Sequence, residues 1–280
     1  ALLQCQMSAL QDIKESQRKW AISRSLDPDA KGYLGSVESN LFKPLSEKTR
    51  LQFENGSGSE LEDGKTRPAK MRALHSSSAL AVNFFDHWVD IDKSALQAAL
   101  GLGQEIISIS FEEQFPTGLD GNPPNVDVTL KLTDGHLIGI ESKFSEWLTP
   151  KTKSSIPFQP KYFPEDIQLW ADVGLPESQK LAEAIDRGEE NFRYLNAPQL
   201  LKHVLGMATS LGGDFSLYYL FYDWPCEASE THHEEVNRFA ALVGEEVRFK
   251  SLIYQETYDD IYYGGGADTK YLEYLHERYL

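Results

Sequence analysis

The chain reads as an α/β fold: a central mixed sheet flanked by helices, with additions at both ends. Three observations carry this. Two apolar strands, Asn125–Leu130 and Ile138–Phe144, are joined by a short polar turn and preceded by an alternating stretch at Ile106–Phe115. A helical pattern at Ala197–Ser210 and an apolar strand at Phe215–Asp223 come next. The order helix, strand, strand, strand, helix, strand is that of a layered α/β domain.

The elements follow in order. Ser8–Ser25 mixes apolar and charged positions at near-helical spacing, with Leu10, Ile13 and Trp20 as anchors. Asp27–Ser59 is rich in Gly, Pro, Ser and charge and reads as an irregular arm with short pieces of structure, Asn55–Ser59 being a turn or loop. Residues 1–70 are therefore expected to form an N-terminal arm packed on a domain spanning 71–280. His75–Ser78 heads a capped helix that runs to about Trp88, and Lys93–Gly101 is a second short one. Leu148–Pro164 is a loop punctuated by prolines. Helices are expected at Ile167–Val173, Ser178–Arg187 and Ala197–Ser210; Pro198 near the start and Gly212 after the end mark the last. His232–Leu242 reads as an amphipathic helix, Val247–Tyr254 as a strand and Thr269–Tyr279 as a closing helix.

The hairpin carries charge where a buried strand should not. Asp127 interrupts the first strand; Glu141 and Lys143 interrupt the second at a spacing that puts both on one face. Ionised groups are costly to bury unless they are paired or hold a metal. A three-residue loop, Thr133-Asp134-Gly135, with Gly135 supplying the positive φ, sets Leu132 against His136 and Asp127 against Glu141. Val128, Leu130, Ile138 and Ile140 then share the apolar face. A two-residue loop would pair Asp127 with Ser142 and split the acids across the sheet. The longer loop is expected because it segregates apolar from charged residues.

Bulk properties narrow the function. The net charge of −16 argues against a protein that coats nucleic acid indiscriminately, though not against an enzyme with a local basic groove. No apolar run is long enough to span a membrane, and no signal-peptide pattern follows Ala1. Cys5 and Cys226 stand far apart in no metal-binding spacing, which suits unpaired thiols in a reducing cytoplasm. His232-His233-Glu234-Glu235 lacks the spacing of a helical zinc site and reads as a solvated face. Gly264–Gly266 lacks the strand and helix of a phosphate loop. The tyrosines at 258, 262, 263, 271 and 274 suit core packing better than base stacking.

The strand order, with Pro124 and Asp127 leading into Glu141-Ser142-Lys143, resembles the PD-(D/E)xK nuclease superfamily. His75–Leu80, Phe111–Pro116 and Gln199–His203 also resemble a bacterial restriction-endonuclease-like group within it. The resemblance covers about Met71–Asp223 and implies a restriction-endonuclease-like core. It implies that Asp127 and Glu141 hold Mg²⁺, with Mn²⁺ as a substitute, and that Lys143 orients or helps deprotonate the attacking water. Ser142 would offer the metal only its backbone carbonyl. An upstream acid is expected, either Glu112 or Glu113, with Glu112 favoured by the resemblance. Gln199 matches a helical glutamine beside the site in related nucleases. His203 replaces a tyrosine found in some groups and reads as a surface or core-edge residue. Ser77 and Asn83 lie on the earlier helix, where the superfamily often places a polar group. The implied activity is metal-dependent cleavage of nucleic acid, DNA above all, in the cytoplasm and possible as a homodimer. Two alternatives stand: an inactive fold that binds or assembles on nucleic acid, and an enzyme acting on a small phosphorylated substrate.

Overall fold

Among the described residues, five strands form one sheet in the order β1 (Ile106–Gln114), β2 (Asn125–Leu132), β3 (Leu137–Lys143), β4 (Phe215–Phe221) and β5 (Phe249–Ile253). β1, β2 and β3 run antiparallel; β3, β4 and β5 run parallel. The structure, a computed structural model, describes residues 8–56, 60–151 and 157–280. The fold is thus a mixed sheet flanked by helices, consistent with a restriction-endonuclease-like core. Among the described residues, the helices are α1 (Ala9–Ser23), α2 (Glu47–Asn55), α3 (Ser77–Phe85), α4 (Ser94–Ala99), α5 (Pro176–Asp186), α6 (Ala197–Leu211), α7 (Glu227–Val243), α8 (Tyr254–Gly264) and α9 (Thr269–Tyr279). None is long and apolar enough to cross a membrane.

Strand alternation feeds two cores. In β4, Leu217, Tyr219 and Phe221 face one way, into a core shared with Leu200, Val204 and Met207 of α6. Tyr218 and Leu220 face the other, into a core that holds Val128, Leu130, Ile138 and Ile140. Ile13, Val37, Leu41 and Phe53 from the first seventy residues join that second core, as do Tyr271 and Leu275 of α9. Arg278 ties these ends together. Its guanidinium donates to the backbone carbonyl of Asn40 at 2.6 Å and lies 4.3 Å from the Trp20 ring.

Several expectations are corrected. A register shift between Ile106 and Ser108 breaks the alternation expected of β1 and turns Ile107 outward, where strict alternation would set it beside Ile109 and Phe111. Residues 167–173 hold only a single 3₁₀ turn, Ala171–Val173. Buried Trp170 fixes that stretch, accepting no helical frame: its indole donates to Leu201 O at 2.8 Å and its backbone N–H to Gln179 Oε1 at 3.1 Å. The short structure expected within the arm includes a capped helix, α2, where Ser46 Oγ accepts from Thr49 N–H. α7 begins at Glu227, ahead of the expected start, and buries His232 instead of exposing it. The His232 ring lies 2.9 Å from the Tyr219 hydroxyl and stacks on Trp147. α8 lies where the sequence reading places no helix; Tyr254, Tyr258 and Ile261 form its buried stripe. Tyr258 and Tyr271 are core residues, whereas Tyr263 is exposed. Cys226 is a free thiol, and Cys5 and residues 57–59 of the expected loop lie outside the described residues.

Candidate active site

The β2–β3 hairpin sets the site. Val128 pairs with Ile140 and Leu130 with Ile138; Leu132 N–H donates to His136 O at 2.9 Å around a turn in which Gly135 has φ +93°. This is the three-residue loop. Carried one residue further, the register sets Asp127 beside Glu141. Asp127 Oδ2 accepts from Ser142 N–H at 2.7 Å, which anchors the first carboxylate to the strand bearing the second. The Ser142 side chain points away, with Oγ 2.7 Å from the Tyr254 hydroxyl.

Helix α6 closes the charged face. A Cβ on Gly139 would lie 2.8 Å from Met207 Sδ, and one on Gly206 would lie 2.4 Å from Phe115 O. These two glycines let the helix sit close to the sheet. Three contacts then run antiparallel along β3 and α6: Gly139 with Met207, Glu141 with His203, Lys143 with Gln199. Two strand residues advance about as far as four helical ones, so the series stays in register. His203 Nε2 lies 2.8 Å from Glu141 Oε2, and Lys143 Nζ donates to Glu141 Oε1. Gln199 Oε1 accepts from Lys143 Nζ at 3.3 Å and from Asn196 Nδ2 at 2.9 Å. His203 is fully buried, which corrects its reading as a surface or core-edge residue. The Gln199-to-His203 spacing placed both on one face; the close approach of α6, which periodicity does not report, buried the second.

Glu112 stands against this group. Its backbone has φ +53°, unusual for a side-chain-bearing residue, and Asn125 Nδ2 donates to its Oε2. A Cβ on Gly56 would lie 3.1 Å from Glu112 Cβ, so the arm packs directly on it. Glu113 instead pairs with Val126 across the ladder. Ser77 Oγ accepts from Phe144 N–H at 3.1 Å, at the end of β3, while Asn83 is buried and donates to the Tyr279 hydroxyl at 2.9 Å.

The charges are strongly interdependent. Burial pushes Glu141 up, but Lys143 and His203 outweigh it and hold the carboxyl at about 2. Burial and the negative charge of Glu141 lift Asp127 well above the usual carboxylate range. Burial raises Glu112 to about 7, opposed by the Asn125 hydrogen bond and reinforced by Glu60 and Glu141. Burial would lower Lys143, yet Glu141 and Asp127 keep it above the ordinary lysine range. An ammonium held this way supplies charge and hydrogen bonds in preference to accepting a proton.

A family described as Restriction Endonuclease associating with ARP matches residues 12–280. The chain belongs to that family. No curated protein and no solved structure matches it. The matched span of this restriction-endonuclease-like chain runs from within α1 to its last residue, and so takes in the whole sheet and the acidic group.

Among the described residues, no three His, Cys, Asp or Glu side chains are arranged to hold a metal ion. Mg²⁺ is commonly held by one or two carboxylates, with waters and substrate phosphate completing the shell. Asp127 and Glu141 fit that smaller set: hard oxygen donors whose burial and mutual repulsion, which together lift Asp127, a cation would relieve.

Proposed function

We propose that this chain is a metal-dependent nuclease that hydrolyses phosphodiester bonds in DNA. The observation that supports it best is the meeting of Asp127, Glu141, Lys143 and Gln199 on two adjacent strands and one helix. Asp127 and Glu141 would hold Mg²⁺ or Mn²⁺, with the Ser142 carbonyl as a further oxygen. When bound, the metal lowers the pKa of a water and offsets charge on the phosphate. Lys143 places its ammonium against the scissile phosphate and the attacking water. Gln199 fixes the direction of that ammonium, and its own amide is set by Asn196. Glu112 adds a third carboxyl at the edge of the group. Cutting both strands of a duplex calls for two such sites, which a homodimer would supply. A cytoplasmic setting suits the free Cys226 thiol. The family's description names an association with ARP, and the same association is proposed here.

The test is cleavage of linear duplex and single-stranded DNA in Mg²⁺ or Mn²⁺, with chelator as the control. Cleavage should vanish in Asp127→Ala, Glu141→Ala and Lys143→Ala. Variants that cut as well as the parent would remove the assignment.

One observation favours a second reading, an inactive nuclease fold that binds nucleic acid. Both oxygens of Glu141 already face cationic or imidazole nitrogen, so a metal must compete for them. DNA binding with no cleavage in either metal would select that reading.

A further inference from the structure

A cleft of about 760 Å³ opens beside the acidic group, and Gln199 belongs to both. Its size is that of a small-molecule site, in a range of about 300–1,000 Å³. Its lining is chemically divided. Lys151 and Lys202 supply positive charge, while Asp186 and Glu190, from the end of α5 and the turn after it, supply carboxylates. Asn191 and Asn196 add amides, and the partly exposed Pro124, Pro157 and Pro198 add apolar surface.

Among the described residues, neither lysine is spent on an ion pair. Among the described residues Lys151 has no carboxylate partner, and Lys202 donates to Pro157 O at 3.0 Å while lying over the Phe158 and Tyr162 rings. Burial, and then a second lysine, dominates the surroundings of each: Lys143 for Lys151 and Lys161 for Lys202. Positive charge is therefore gathered beside the site of a strongly acidic chain, where it attracts phosphate. Asp186 is exposed and has no partner among the described residues, so its carboxylate is available to accept. Glu190 is held by Arg238 at 3.4 Å.

A nucleotide has this same division: an anionic phosphate, a flat apolar face and a base edge that donates and accepts. In a duplex that edge is already paired and stacked. From these features we infer that the cleft is a subsite for one unpaired nucleotide next to the cleaved phosphate, favouring bases that carry an exocyclic amino group. The inference rests on the nuclease reading and names its substrate: a single strand, an overhang or a frayed end. Lys151 and Lys202 take the phosphate. Asp186 accepts from the amino group, as acidic side chains do with cytosine, and thymine offers no such donor.

Fluorescence anisotropy tests this on the full chain with Ca²⁺ replacing Mg²⁺. The probes are labelled oligo-dC, oligo-dT of equal length and a blunt duplex. The parent should bind oligo-dC more tightly than oligo-dT. Asn191→Trp, at an exposed position, fills the cleft and should shift the ratio of single-strand to duplex affinity by about tenfold against the single strand. Asp186→Asn should narrow the preference for dC over dT. If both variants keep the parent's ratio and base preference, the cleft assignment fails; cleavage that still depends on Asp127 would leave the nuclease reading standing. If the parent neither binds nor cuts any of the three, both fail.

Discussion

His203 Nε2 lies 2.8 Å from Oε2 of Glu141, and both side chains are fully buried. This pairing makes Glu141 tolerable inside the sheet. One oxygen meets Lys143 and the other meets His203, and without them burial alone would push the carboxyl up. His203→Phe keeps the bulk and removes the nitrogen. It should destabilise the fold by about 2 kcal/mol, the cost of leaving one buried charged oxygen without its partner. Urea denaturation in chelator measures this. A variant as stable as the parent would show that His203 only fills space.

Glu112 gives a pH dependence of definite sign. Its carboxyl is raised from 4.5 to about 7 because ionising it inside the protein is costly. The unfolded chain then releases this proton more readily than the folded one. The stabilising contribution is complete below about pH 4.5, declines as pH rises and is lost above about pH 7. Glu112→Gln removes that decline, so its advantage over the parent should grow from pH 5 to pH 8, reaching about 3 kcal/mol. Chemical denaturation at four pH values in chelator reads the difference. A constant gap across the range would mean that Glu112 ionises as it does in water.

The docking of α6 depends on two glycines with different tolerances. At Gly139 the obstacle to a Cβ is chiefly the flexible end of Met207; at Gly206 it is the backbone oxygen of Phe115. A side-chain tip can swing aside, whereas moving the Phe115 carbonyl, one residue past the end of β1, shifts the main chain itself. Gly139→Ala should therefore cost about 1 kcal/mol and Gly206→Ala about 3 kcal/mol. Both should also weaken cleavage, because the shift separates Gln199 from Lys143. Thermal unfolding compares them, and equal losses would contradict this ordering.

The hairpin register was legible because segregation of charged from apolar residues admits only one loop length. The ends of α6 were legible from Pro198 and Gly212. The burial of His203 was not, since it depends on how closely the helix approaches the sheet. That closeness comes from Gly139 and Gly206, which carry no hydropathic signal. His232 was legible in principle: Ser229, His232, Val236, Phe239 and Val243 recur at helical spacing and are all buried. The run of paired histidines and acids masks that stripe, because His233 and Glu234 stand on the polar side of the same helix. The loop around Trp170 could not be read locally, because its partners Gln179 and Leu201 lie on two later helices.

Asp127 links stability and function in opposite directions. Its carboxyl is lifted by burial and by the charge of Glu141, so ionising it costs the folded chain free energy. Asp127→Asn keeps an acceptor for Ser142 N–H and removes that charge. In chelator at pH 8 the variant should be more stable than the parent by roughly 1 kcal/mol, the usual scale when a strained functional group is relieved. With millimolar Mg²⁺ the order should reverse. The parent gains stability by binding the ion in its folded state, and the variant, short of one carboxylate, gains little. Differential scanning calorimetry with and without Mg²⁺ separates the two effects. A parent whose melting temperature ignores Mg²⁺ would show that Asp127 and Glu141 do not share a cation.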